Sequence, residues 1–183
     1  MHQETHQLRI IEESQMTPAT DAVIRELLCI CFPLDINVFS QTRYWHGSAP
    51  AYSLIQEQNG RILGHVGIVL RLVRCGNTPA LVAGIQNLAV RPELRGSGVG
   101  RQLVVESMKE ARRRNIGWGL LFCVPELEKF YGTLGWRVLH NIVMMKEEQG
   151  RDLQISGKNI CMSKCVGSSP FPRGDIHLQG ADW

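Results

Sequence analysis

The residues best suited to chemistry lie in one run, Gln86-Asn87-Leu88-Ala89-Val90-Arg91-Pro92-Glu93-Leu94-Arg95-Gly96-Ser97-Gly98-Val99-Gly100-Arg101. An apolar, strand-like stretch ends at Val90, a glycine-rich loop follows, and a helical pattern begins near Gly98 or Val99. The first N–H groups of a helix have no intrahelical acceptor, and the aligned peptide dipoles favour negative charge beside them. Glycine lets a phosphate approach that backbone with no Cβ in the way. Arg95 and Arg101 can add charge-assisted bonds to phosphate oxygens. Residue types at this spacing make a cradle for a phosphate or pyrophosphate. The Walker pattern is excluded, because no Lys-Ser or Lys-Thr follows the glycines, and the dinucleotide pattern GxGxxG fails because Arg101 stands where its last glycine belongs.

What remains is [QR]xxGx[GA] at Arg95–Gly100, preceded by Leu88-Ala89-Val90-x-Pro92 and followed further on by Phe130-Tyr131-x-x-x-Gly135-Trp136. In these segments the chain resembles the GNAT superfamily of acyl-CoA-dependent N-acyltransferases, over roughly Leu54 to Met144. The resemblance implies a GNAT-like α/β fold: a central mixed β-sheet, flanking helices, and a cofactor cleft where the strand ending at Val90 splays from the one near Leu120–Val124. It implies acetyl-CoA as cofactor, its pantetheine arm bonded to the backbone of Leu88, Ala89 and Val90. Its pyrophosphate would lie on the amides of Gly96, Ser97, Gly98, Val99 and Gly100. Tyr131 matches the tyrosine that protonates the departing thiolate, although on its helix it also shares a face with Leu127, Phe130 and Leu134 and could simply be packed.

The acceptor amine must also lose a proton, since an alkylamine with a pKa near about 10 is protonated at neutral pH and cannot attack. Many relatives place a glutamate close to where Gln86 stands, and Gln86 is no base. A water chain through Gln86, backbone carbonyls or His65 is one route, against the reading of His65 as a satisfied strand histidine. Cys123 lies on the strand expected to flank the cofactor, but a buried thiol ordinarily behaves as a small hydrophobe. Direct transfer is therefore the expectation.

Two narrower likenesses lie outside the core motifs. Arg43-x-Trp45-x-Gly47-x-x-Pro50, Gly64-His65-x-Gly67, Arg71, Gly76 and Leu81-Val82-Ala83 are similar to nodulation protein A, a family that attaches a fatty acyl chain to an amino-sugar oligomer. The tail Pro172-x-Gly174-x-Ile176-x-Leu178-x-Gly180-x-x-Trp183 is similar to the ends of aminoglycoside 2'-N-acetyltransferases. Both point to a small-molecule amine acceptor of the amino-sugar class. Asp182, Trp183 and the terminal carboxylate would place negative charge beside an aromatic plane, which suits such a cation, and Trp45 and His46 would form the opposite wall. The alternatives are a longer acyl donor, a protein or peptide acceptor, and a non-catalytic acyl-CoA sensor, which the absent glutamate at Gln86 alone favours.

The elements that must position these groups follow from pattern. Thr17 caps a helix over Pro18 to Cys31, with proline at its first position. Runs Ala51–Gln56 and Arg61–Val73 flank Gln58-Asn59-Gly60, a hairpin signal, and Ala80–Val90 completes an antiparallel meander. From Val99 to Arg114 the apolar residues Val99, Leu103, Val104, Met108 and Ala111 form a helical stripe. Leu120–Val124 reads as a buried strand, Glu126–Leu134 as a short helix stopped by Gly135, and Trp136–Lys146 and Ile160–Val166 as two closing strands.

At 183 residues with 44% hydrophobic and 20% charged residues, the chain is expected to form one domain, residues 1–183. A net charge of +3, with Arg112-Arg113-Arg114 as its densest cluster, gives no case for nucleic acid. The longest apolar stretch, Ile62 to Val73, is broken by His65 and Arg71, so no membrane span is expected. Six cysteines without CxxC spacing give no metal site and read as reduced thiols of a cytoplasmic protein. The polar start, Met1 to Arg9, lacks the apolar run of a signal peptide. A homodimer is compatible with the GNAT resemblance.

Overall fold

The computed structural model describes residues 7–147, 149–155 and 157–183; of the polar start Met1 to Arg9, residues 1–6 lie outside them. Its sheet begins with a strand that the polar start concealed, β1 (Gln7–Glu12), paired antiparallel with β2 (Tyr52–Gln58). Between them α1 (Pro18–Cys31) is capped by Thr17, whose side chain accepts from the Thr20 N–H, and a short α2 (Ile36–Phe39) follows. Asn59 (φ 50°) and Gly60 (φ 77°) supply the left-handed turn that folds β2 onto β3 (Arg61–Cys75), and β4 (Thr78–Val90) runs back along β3.

After β4 the chain crosses over through α3 (Val99–Arg113) to β5 (Trp118–Cys123), which pairs parallel with β4. All five residues of the apolar stripe on α3 are buried, packed against Tyr52, Leu54, Val66 and Ile68 on one face of the sheet. On the other face Ile24, Leu27 and Leu28 of α1 pack with Phe39, Ile55, Ile62 and Ala89. Leu54 and Ile55 are neighbours on one strand yet fully buried on opposite faces, as a sheet covered on both sides requires.

Two expectations need correction. Glu126–Leu134 is not one helix: it opens as a 3-10 turn at Pro125–Leu127, and only α4 (Glu128–Gly132) is α-helical. Trp136–Lys146 is not one strand. It breaks into β6 (Arg137–Leu139) and β7 (Val143–Lys146), which sit on opposite sides of the sheet. The polar stretch between them makes the turn, tied down where Asn141 donates to the Gly174 carbonyl and the Ile142 N–H donates to Asp175. Short β8 (Asp152–Gln154), then β9 (Ile160–Cys165) and β10 (Ile176–His177), complete the sheet. Among the described residues its order is β6-β9-β5-β4-β3-β10-β7-β8, with β2 and β1 continuing beside the first half of β3.

Candidate active site

The site exists because β4 and β5 part. They pair only over Val82–Ile85 with Trp118–Leu121, while β5 stays with β9 along its whole length to Cys123. Beyond Ile85, β4 carries a bulge: Gln86 pairs with Gly67 and Ala89 with His65, so Asn87 and Leu88 face one residue of β3. Asn87 takes the left-handed conformation (φ 52°) that asparagine tolerates better than most residues. Its side chain donates to the Arg43 carbonyl at 2.7 Å, and its own carbonyl accepts from Nδ1 of the buried His65 at 3.1 Å. The bulge is therefore fixed from both sides. His65 Nε2 lies 3.2 Å from Ser53 Oγ, and burial pushes the imidazole down to a pKa of about 3. His65 is thus neutral at neutral pH, does not line the cleft, and serves the bend of β4.

The Arg91 N–H donates to the Leu63 carbonyl on β3, so the Val90 carbonyl of the same trans peptide points away from β3, toward the gap. The thiol of Cys31, at the end of α1, lies 3.3 Å from the Val90 carbonyl and donates to it. In the sequence Cys31 reads only as one of six reduced thiols, and nothing local marks this contact.

β4 leads through the loop into α3. Gly96 (φ 82°) and Gly98 (φ 94°) hold conformations that disfavour side chains, and the space a Cβ would take at either is open. Gly98 caps α3 without a side-chain bond, and the first helical hydrogen bond runs from the Gln102 N–H to the Gly98 carbonyl. The Ser97 N–H is taken up by the Leu94 carbonyl at 3.2 Å, and the amides at the helix start itself are left for an external acceptor. Arg95, Ser97 and Arg101 are exposed around them, with Ser97 Oγ bonded to the Leu94 carbonyl, and Val99 is buried beneath. An anion of pyrophosphate size fits this open, amide-lined turn.

In the gap lies a cleft of about 500 Å³. Gln86 and Leu88 of β4, Phe122 and Cys123 of β5, and Tyr131 of α4 line its inner part. Trp45 and His46 from the segment after α2 meet Asp182 and Trp183 from the tail at its mouth, where His46 Nδ1 bonds the Asp182 carboxylate. Trp45 also packs edge-on against Phe39 at 4.8 Å, so it anchors α2 as well as lining the cleft. Trp183 is buried over Gly84, edge-on to Phe122 at 5.5 Å and under the Arg71 guanidinium at 5.0 Å. Arg71 holds the tail through the Ala181 carbonyl and Ser48 Oγ.

Gln86 Nε2 donates to the Ser48 carbonyl at 2.8 Å, while its buried Oε1 has no partner among the described residues. Burial pushes the Tyr131 phenol well above the usual tyrosine range, so it stays a proton donor at any working pH. Burial also pushes the Cys123 thiol up to about 11, which keeps it protonated and a poor nucleophile at neutral pH. Asp35 and Lys158 are cleft-lining groups that no sequence signal singled out.

Parted strands with a glycine-rich helix start at their mouth define the GNAT acyltransferase fold. The chain superimposes on a GNAT family N-acetyltransferase from Escherichia coli in complex with CoA with a TM-score of 0.67, at 17% identity over 95% of this chain and 89% of that one. A GNAT family acetyltransferase from Brucella melitensis in complex with acetyl-CoA gives a TM-score of 0.58, at 20% identity over 94% and 96% of the two chains. Within that fold, residues 4–155 match the family model of nodulation protein A, and the chain belongs to that family. It is 31% identical over 106 residues to nodulation protein A of Sinorhizobium terangae, covering 57% of this chain and 53% of that protein. The chain spans about half or less of the length of other curated relatives, among them nodulation protein A of Rhizobium tropici and of Rhizobium leguminosarum.

Proposed function

We propose that this chain transfers an acyl group from an acyl-CoA thioester to the primary amine of an amino sugar. The observation that carries this reading is what lies along the last residues of β4. Residues 85–88 line a cleft walled by an aspartate, a histidine and two indoles, and after Val90 the chain leads into an amide-lined helix start. In this reading the amides of Gly96 and Gly98–Gly100, with Arg95 and Arg101, hold the pyrophosphate, the Ser97 N–H being bonded to the Leu94 carbonyl, and the backbone of Leu88–Val90 holds the pantetheine arm. The Val90 carbonyl keeps a second lone pair beside the Cys31 thiol for that purpose. When bound, acyl-CoA supplies an activated carbonyl and a thiol leaving group. Tyr131 faces that leaving group as a protonated phenol. Asp182 attracts a cationic sugar amine, Trp183, held between Gly84 and Arg71, walls the cleft beside it, and Gln86 offers its free Oε1 to an N–H.

Membership in the nodulation protein A family favours a donor chain longer than acetyl. Acetyl-CoA and palmitoyl-CoA, each offered with glucosamine tetramer, decide which donor is used. The primary test is calorimetric binding of acetyl-CoA. Gly98→Glu puts a side chain and a negative charge on a left-handed position in the cradle. It should weaken binding by at least about 100-fold, the loss of two charge-assisted bonds at about 1.5 kcal/mol each. No binding by the parent protein would overturn the reading. Tight binding without CoA release for any amine would leave a sensor rather than an enzyme.

A further inference from the structure

The proposed transfer needs a base, and Gln86 is not one. The mouth of the cleft holds an alternative that arises only from tertiary contact. His46 and Asp182 are separated by 136 residues, yet the carboxylate bonds Nδ1 of the imidazole. A carboxylate accepts, so Nδ1 carries the proton and Nε2 presents a lone pair. The His46 side chain is 58% exposed and the Asp182 side chain 25%, so the ring faces the cleft and solvent while its partner is more sheltered.

The pair is held in place. Ser48 Oγ donates to the Asp182 carbonyl at 2.7 Å and accepts from Arg71 at 3.0 Å. The Ser48 carbonyl accepts from Gln86 at 2.8 Å, and Arg71 also bonds the Ala181 carbonyl. One network thus joins His46, Asp182 and Gln86, whose Oε1 is buried and unpartnered. The other titratable groups lining the cleft are Asp35, Lys158, Cys123 and Tyr131. Burial keeps the last two protonated, which removes them as bases.

We propose that His46 is the general base for the acceptor amine, with Asp182 as the positioning residue and Gln86 Oε1 receiving a second N–H of the nucleophile. This rests on the acyl-transfer reading above. The acceptor ammonium gives one proton to His46 Nε2, and the freed nitrogen lone pair forms the C–N bond at the thioester carbon. The C–S bond breaks with its electron pair on sulfur, which takes a proton from Tyr131. The remaining surplus proton on nitrogen restores the Tyr131 phenol, and His46 returns its proton to solvent. Ammonium and acyl-CoA become amide, CoA thiol and one released proton.

The test uses the full chain with acetyl-CoA or palmitoyl-CoA and two acceptors, glucosamine tetramer and spermidine. His46→Gln should lower kcat/KM at pH 7 by about 100-fold, the low end for general base catalysis, with acetyl-CoA affinity unchanged. Its activity should recover as pH rises through each amine's own ionisation, earlier for glucosamine tetramer than for spermidine. Added imidazole should rescue His46→Ala. Independently of turnover, nitrogen NMR of the CoA-free protein should show His46 as the Nδ1–H tautomer, and Asp182→Asn should release it toward Nε2–H.

An Nε2–H tautomer in the parent protein overturns the proposal. So does a His46→Gln variant with parental rates, or one whose loss neither pH nor imidazole repairs, since that loss is structural. A parent protein that binds acyl-CoA and transfers to neither amine overturns the acyl-transfer reading itself, and this proposal with it.

Discussion

At the residue scale, the role proposed for Tyr131 is the easiest to separate from packing. Its ring packs edge-on against Phe130 at 4.9 Å and against Trp136 at 6.0 Å, so phenylalanine fills the same space. Loss of the hydroxyl removes only a proton donor. A thiol with a pKa near about 8.5 leaves with little help, so Tyr131→Phe should lower kcat by about 10-fold to 100-fold, at or below the low end for acid catalysis. The KM for acetyl-CoA should stay within about twofold, because the loop proposed to hold the pyrophosphate is elsewhere on the chain. Because the phenol is held above the usual tyrosine range, the parent profile should show no alkaline limb from this group. Steady-state CoA release across pH checks both points. Tyr131 and the glycine-rich loop were legible in the sequence because their signal is local: a few residues at fixed spacing make the helix start. The bond between His46 and Asp182 was not legible, since no short-range pattern shows that the segment after α2 meets the tail.

At the element scale, the tail depends on an absent side chain. Gly84 pairs with Val69 of β3 and Leu120 of β5 in ordinary strand conformation, and a Cβ there would lie 2.3 Å from the Trp183 ring. Gly84→Ala should therefore act on the tail rather than the backbone, at an overpacking cost of about 1–3 kcal/mol. Thermal unfolding should report that loss, and the acceptor KM should rise as Trp183 and Asp182 shift. Trp183→Leu in the same chain should recover stability while leaving the acceptor KM high. A double variant that recovers both would remove the tail from the acceptor site. The boundaries of α1 and the β2–β3 turn were legible because Thr17-Pro18 and Asn59-Gly60 have few other conformational uses. The division of Trp136–Lys146 was hidden, because β-propensity says that a run is extended and not which sheet edge it joins.

At the scale of the whole molecule, the parted sheet rests on buried polar groups, and these tie stability to pH. The bend in β4 is held by His65, and the segment carrying Trp45 and His46 is tied to α1 by buried Arg43, which pairs with Glu13 and Asp21. The antiparallel meander and the helix and strand after it were legible from pattern, and the GNAT resemblance implied the mixed sheet. They did not show what keeps β4 bent, because an isolated strand histidine looks the same whether it packs or bonds a bulge. His65 is neutral in the folded chain down to about pH 3, because burial opposes its charge and Arg43 repels it. In the unfolded chain it titrates near about 6.5. Its contribution is fully present above that value and is lost as pH falls toward 3, at a slope approaching about 1.4 kcal/mol per pH unit. Asp21 has the opposite charge type. Burial works against its carboxylate, but bonds to Arg25 and Arg43 win and hold its pKa low. Its contribution is lost only below the ordinary carboxylate range, near about pH 4. Urea unfolding should thus show stability declining between pH 6 and pH 4, before the carboxylates respond. His65→Gln can keep one bond each to the Asn87 carbonyl and Ser53 while carrying no titrating group. It should be less stable at pH 7 by about 1–2 kcal/mol, and its stability should be flatter between pH 6 and pH 4. An unchanged slope in that variant would mean that the bend of β4 does not depend on a neutral imidazole.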